Sequence, residues 1–355
     1  MGLLKKLLKA TGNENAAIAS DGLYSDKTAG WIDTGSYAFN AAICASIYGG
    51  IPKDKIIGLA GEEATGKSFY ALAIADNFLK DNPTGEVCIF DTEHAISKTV
   101  LAARGMDLTR IAVSPVNTVE DFSHESLSLL NEYESVPAKE RVPLMLILDS
   151  LGNLSTKKEL RDIASGSDTK DMTRTQMIKA AFRVLTIKLG VLGVPMIVTG
   201  HVYQSIGGLY PTKVLGGGAG LKYAASSIAF LSKAQDKMSD GTRRGSIITV
   251  TMEKSRFSRE KSRVKTRLTF DEGLDRYYGL ADMAVAAGIW KKNDKYIHIS
   301  DTEKTQISRI ESNPEKYFTK EVLDAIDNYA QKAFAFGSPD EAPQVDLDVE
   351  GSGEE

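Results

Sequence analysis

"GLAGEEATGKSF", residues 58–69, is the stretch on which the fold turns. Gly61, Gly66, Lys67 and Ser68 stand at the spacing G-x-x-x-x-G-K-[ST]. That spacing builds a phosphate-binding loop when a strand precedes it and a helix follows. Both flanks are present: "KIIGLA" is short, apolar and β-branched, and "SFYALAIADNFLK" has helical character. Glycines let backbone N–H groups converge on phosphates, and the helix N-terminus adds its dipole. Gly61, Glu62, Glu63, Ala64, Thr65, Gly66, Lys67, Ser68 and Phe69 are therefore expected to hold a nucleoside triphosphate. Lys67 would reach the β- and γ-phosphates, and Ser68 would ligate Mg²⁺.

Working outward, "EVCIFDTE", "RIAVSPV", "PLMLILDS" and "PMIVTGH" follow, each separated by a helix-length segment. Continuous apolar strands in such alternation predict an α/β fold, a parallel sheet with helices on both faces. From about residue 226 the rhythm changes to "SSIAFLSKA", "SIITVTMEKSR" and "RVKTRLTF", which read as antiparallel strands extending that sheet. A small module follows, with a hairpin in "WKKNDKYIHI" turning at Asn293-Asp294 and a last helix over about Lys320 to Phe334. The expected organisation is an N-terminal helix and linker (1–30), serving protomer docking, then a core (31–272), a small C-terminal α/β module (273–336) and an acidic tail (337–355).

Composition narrows the class. The chain has 355 residues, 42% hydrophobic and 25% charged, as in a soluble globular protein. Its two cysteines, Cys44 and Cys88, form neither a disulfide framework nor a metal site, which points to a reducing cytoplasm. No apolar run approaches the roughly 20 residues of a membrane span. Leu3, Leu4, Leu7 and Leu8 share one helix face among lysines, suiting a short amphipathic helix that docks on protein or lies on a membrane. The seven acids from Asp340 to Glu355, unaccompanied by any base, outweigh the net charge of −4. That tail is expected to be disordered, whereas Thr251–Phe270 carries seven bases against two acids.

Hydrolysis needs an activated water. Asp149 ends the apolar strand "LMLILD", where a magnesium ligand sits in phosphate-loop enzymes. Glu93 leaves the strand "CIFD" and can take a proton from water, with Asp91 as the competing candidate. Val202–Lys222 holds six glycines, two tyrosines, two lysines and no acid. A long loop of this kind is suited to ordering on a ligand, as a nucleic-acid contact or as a lid over the nucleotide. Tyr203, Ile206 and Tyr210 can stack on bases and Lys213 can meet phosphate, with Gly207, Gly208, Gly216, Gly217 and Gly218 between them. Arg174, Lys179 and Arg183 on the preceding helix are either phosphate contacts or a solvated face.

In order, "WIDTGSYAFNAAI", "GGIPKDKIIGLAGEEATGKS", "FDTEHAISKTVLAARGMD", "LILDSLGN" and "VLGGGAGLKYAASSIAFL" resemble the RecA/Rad51 family of recombinases over about residues 30–285. "DSLGNLSTKKE" and "DMTR" are similar to its phage, T4 UvsX-like branch. The resemblance implies a RecA-like P-loop NTPase core with a mixed, mostly parallel sheet. It also implies an ATP- and Mg²⁺-using, DNA-dependent ATPase that forms head-to-tail helical filaments on single-stranded DNA. Such a protein pairs that strand with homologous duplex, assisted by single-strand-binding and mediator proteins. The resemblance further implies Glu93 as the water-activating residue and two DNA loops, residues 150–174 and 202–222. His201 stands where bacterial members carry a γ-phosphate-sensing Gln, and Val100 where they stack a Tyr on adenine. Lys254 and Arg256 match a lysine pair that reaches a neighbouring protomer's ATP. From spacing alone these two lie on one face of a strand, and a solvated basic edge is the other reading.

Overall fold

The structure, a computed structural model, describes residues 3–12, 16–21, 30–166, 173–204, 213–216, 219–237, 243–269, 273–293 and 296–337. The tail beyond 337 and the hairpin tip at 294–295 lie outside the described residues.

A two-strand ribbon, β1 (Trp31–Ile32) and β2 (Ile51–Pro52), precedes the main sheet. The sheet contains β3 (Ile56–Gly61), β4 (Glu86–Asp91), β5 (Ile111–Pro115), β6 (Leu144–Asp149), β7 (Met196–Gln204), β8 (Lys213–Leu215), β9 (Ser227–Lys237), β10 (Arg243–Ser255), β11 (Arg263–Thr269) and β12 (Gly273–Leu274). Its order is β12-β11-β10-β9-β3-β7-β6-β4-β5, with β8 paired to β7. From β9 to β5 every neighbour is parallel, and from β9 to β12 every neighbour is antiparallel. The sheet is therefore mixed and mostly parallel around the phosphate loop. One detail differs from the sequence reading: "SSIAFLSKA" is antiparallel only to β10, because its other edge is parallel to β3.

The helices are α1 (Leu3–Ala10), α2 (Tyr37–Cys44), α3 (Lys67–Asp81), α4 (Lys98–Ala102), α5 (Val119–Ser135), α6 (Lys157–Ala164), α7 (Arg174–Leu192), α8 (Ala219–Ala224), α9 (Leu280–Ala286), α10 (Ile307–Ser312), α11 (Pro314–Tyr317) and α12 (Lys320–Ala333). Strand residues alternate between faces, so the sheet divides the core. Ile57, Leu59, Ile89, Ile147 and Ile197 pack with α2 and α3 on one side. Ile56, Phe90, Leu146, Leu148 and Val198 pack with α5 and α7 on the other.

The C-terminal elements, including strands β13 (Lys291–Asn293), β14 (Tyr296–His298) and β15 (Lys304–Gln306), join the first of these cores through Trp290, Ile326 and Phe334. Asp327 of α12 accepts hydrogen bonds from Ser46 Oγ at 2.7 Å and the Ile47 amide at 2.8 Å. Arg267 of β11 reaches Asp236 at 2.9 Å and Glu311 at 2.7 Å, and its guanidinium lies 4.0 Å over the Tyr278 ring. By contrast α1 buries nothing, and Leu3, Leu4 and Leu7 are exposed. No helix among the described residues is long and apolar enough to cross a membrane.

Candidate nucleotide and DNA sites

The parallel strands β3, β7, β6 and β4 end together at one rim of the sheet, and the chemistry-bearing side chains follow those ends. Gly61 closes β3 where no side chain fits: a Cβ there would lie 2.7 Å from Thr65 Oγ1 and 2.8 Å from the Leu231 carbonyl. The loop then reaches α3 through Ala64 and Gly66, both at positive φ. Lys67 is buried, and its ammonium is held by the carbonyls of Gly61 (3.2 Å) and Glu62 (2.9 Å). Burial pushes its pKa down, while Glu93 and Asp149 pull it back up. Lys233 of β9 clamps the same loop by donating to the Ala64 carbonyl at 2.8 Å.

Asp149 is buried at the end of β6, and burial pushes its pKa up. It accepts from Thr199 Oγ1 at 2.5 Å and from the Ser68 hydroxyl. Its peptide bond to Ser150 is cis. One hydroxyl and one carboxylate side by side are the donor set with which magnesium is commonly held beside substrate phosphates. Among the described residues no group of three or more His, Cys, Asp and Glu could hold a metal, so phosphate oxygens would have to complete such a shell.

Glu93 follows β4 and is partly exposed, with Oε1 accepting from Ser150 Oγ (3.0 Å) and Asn153 Nδ2 (2.9 Å). His201 Nε2 on β7 lies 3.7 Å from the same oxygen. Asp91, the competing base, is buried and committed: its two oxygens cap the amides of Glu93 and Ile96 at 3.0 Å each. It shapes the turn that presents Glu93. Lys67, Ser68, Asp149, Glu93 and His201 thus gather at one rim. Ser150, Asn153, Thr199 and Lys233 join them unannounced, since no spacing pattern marks a hydroxyl or amide that orients another residue.

Elsewhere the structure corrects the sequence reading. Val202–Lys222 is not free of structure at its ends: Val202–Gln204 pairs with Lys213–Leu215, and α8 begins at Ala219. Ile206, Gly207, Gly208, Tyr210, Gly217 and Gly218 lie outside the described residues. Gly216 is buried, its amide donating to the His201 carbonyl at 2.6 Å, and a Cβ there would meet the Tyr203 ring at 2.5 Å. Only glycine permits that close approach, while Tyr203 itself is 60% exposed.

Arg174 turns inward to the carbonyls of Leu151, Gly152 and Leu154 instead of standing on a solvated helix face. Lys179 and Arg183, one turn apart on α7, remain exposed, with the Lys179 ammonium 5.6 Å from the Tyr223 ring centroid. Lys254 lies in β10 and Arg256 one residue beyond its end at Ser255, where the Arg256 amide still donates to the Ser226 carbonyl at 3.0 Å. Lys254 Nζ donates to the Lys222 (2.6 Å) and Ala225 (2.7 Å) carbonyls at the end of α8, and Arg256 is exposed.

The profile of the RecA N-terminal domain family matches residues 3–275. The chain is 30% identical over 288 residues to the "Recombination and repair protein" of Enterobacteria phage T4, covering 81% of this chain and 71% of that one. It is 24% identical over 323 residues to "Protein RecA" of Mycoplasmopsis pulmonis, covering 88% and 89%. With "Protein RecA" of Thermotoga maritima it shares 23% over 279 residues, covering 78% and 74%.

Proposed function

The chain belongs to the RecA family, and from that premise we propose that it is a recombinase of DNA recombination and repair. It would assemble head to tail on single-stranded DNA, pair that strand with homologous duplex and hydrolyse ATP with Mg²⁺ as it does so. The observation that carries this reading is the convergence of Lys67, Ser68, Asp149 and Glu93 at one end of the parallel strands β3, β6 and β4.

In this reading the loop amides and Lys67 bind the triphosphate, exchanging the Gly61 and Glu62 carbonyls for phosphate oxygens. Ser68 and Asp149 would hold Mg²⁺, which supplies charge neutralisation at the phosphates. Glu93, aimed by Ser150 and Asn153, takes the proton of the attacking water. His201, 3.7 Å away, lies where it can report phosphate occupancy into β7 and its partner β8, next to the second loop. Tyr203, Lys179 and Arg183 offer ring and charge to a DNA strand without reading its sequence.

The test is ATP turnover with and without single-stranded DNA, together with electron microscopy of the complex in a non-hydrolysed analogue. Stimulated turnover and helical filaments support the reading. Closed hexameric rings would place the chain among ring motors instead.

A further inference from the structure

A phosphate loop fixes a triphosphate chain but says nothing of what meets the base. Phe69 follows Ser68 in the first turn of α3 and is 45% exposed beside the loop. Arg104, just past α4, lays its guanidinium carbon 4.2 Å from the Phe69 ring centroid. Among the described residues this half-buried guanidinium makes no hydrogen bond or close ion pair, although the charge of Asp76 attracts it. The guanidiniums of Arg110, Arg174, Arg267 and Arg276, by contrast, are each held by carbonyls or carboxylates. Beside Arg104 opens a cleft of about 390 Å³ that runs along α3. Leu72, Met106 and Leu274 line it together with the charged Asp76, Lys80 and Arg276.

We infer that Arg104, stacked on Phe69, receives the nucleobase of the bound triphosphate and makes this chain favour purines. A guanidinium is flat, so with one face on Phe69 the other face remains for a second ring. Its charge also favours the electron-rich face of an aromatic base. A purine offers that face more overlap than a pyrimidine. The inference rests on the triphosphate reading above and adds a residue for which the phosphate-loop spacing gives no signal.

The experiment is calorimetric titration of the full chain with ATP, UTP and inorganic triphosphate, each with Mg²⁺. The variants are Arg104→Leu, Arg104→Lys and Phe69→Leu. Arg104→Leu and Phe69→Leu should weaken ATP about tenfold and UTP less, with inorganic triphosphate unchanged within about twofold. Arg104→Lys keeps the charge but loses the plane, so it should resemble Arg104→Leu. Retained triphosphate binding also reports that a variant is folded. If Arg104→Leu fails to fold, Arg104→Lys and Phe69→Leu carry the same comparison. The inference is overturned if Arg104→Leu binds ATP as the parent does. It is equally overturned if lysine restores ATP binding while leucine weakens inorganic triphosphate, because Arg104 would then serve phosphate charge. A parent chain that binds neither ATP nor inorganic triphosphate would remove the nucleotide reading itself, and this one with it.

Discussion

At the scale of single residues, Asp149 and Glu93 are carboxylates at neighbouring strand ends with opposite circumstances. Burial raises the Asp149 pKa, so its proton is held more tightly in the folded chain than in the unfolded one. Stability then falls as pH rises through that window, because ionising the buried carboxyl costs more than ionising the free one. Asp149→Asn should therefore melt higher than the parent at pH 7, and the gain should vanish as pH falls below the usual carboxylate range. Thermal melts at several pH values without nucleotide check this, and the stabilisation conferred by ATP with Mg²⁺ should be lost in the variant. Glu93→Gln keeps the hydrogen bonds from Ser150 and Asn153 in reach but cannot accept a proton. Turnover should drop about 10²- to 10⁴-fold while ATP affinity holds, measured by single-turnover hydrolysis beside binding. Undiminished turnover would mean that another group activates the water.

At the scale of elements, β3, β4, β6 and β7 were legible because each is an unbroken apolar run between helical segments, and burial on both faces of a parallel sheet demands that. Strand β8 was not legible. Three residues inside a glycine-rich stretch carry no period, and only pairing with β7 defines them. The partner of Lys254 was hidden for a different reason: backbone carbonyls at the end of α8 leave no mark in a sequence. Favourable contact of a cation with a helix C-terminus predicts that Lys254→Met loosens α8, seen as faster amide exchange at residues 219–224. The Arg267 cluster was equally invisible, since Asp236, Asp275 and Glu311 come from three separate segments. Arg267→Met would leave those carboxylates without their buried cation. It should destabilise the chain by about 3–5 kcal/mol in urea denaturation, and a loss under about 1 kcal/mol would show the cluster to be well solvated.

At the scale of the whole molecule, α1 presents Leu3, Leu4 and Leu7 to solvent, and among the described residues nothing buries them. An apolar face of that kind, on a protein proposed to polymerise head to tail, is a natural contact for the next protomer. Leu4→Glu with Leu7→Glu should leave the melting temperature of the isolated chain unchanged, because neither side chain supports its core. Assembly on single-stranded DNA, followed by sedimentation velocity, should fail. Intact assembly would move the contact elsewhere.

The strand order also imposes a schedule on synthesis. β3 is flanked by β7 and β9, so Ile57 finds its two sheet partners at Ile197 and Ser227. The phosphate loop leaves the ribosome early, yet the walls that fix its shape arrive well over a hundred residues later. At about 5–20 residues per second, that gap lasts on the order of ten seconds. For that interval "GLAGEEATGKSF" is an apolar strand and a glycine loop without a sheet. The phosphate loop of a nascent chain is therefore expected to lack its fixed shape until β9 has been translated.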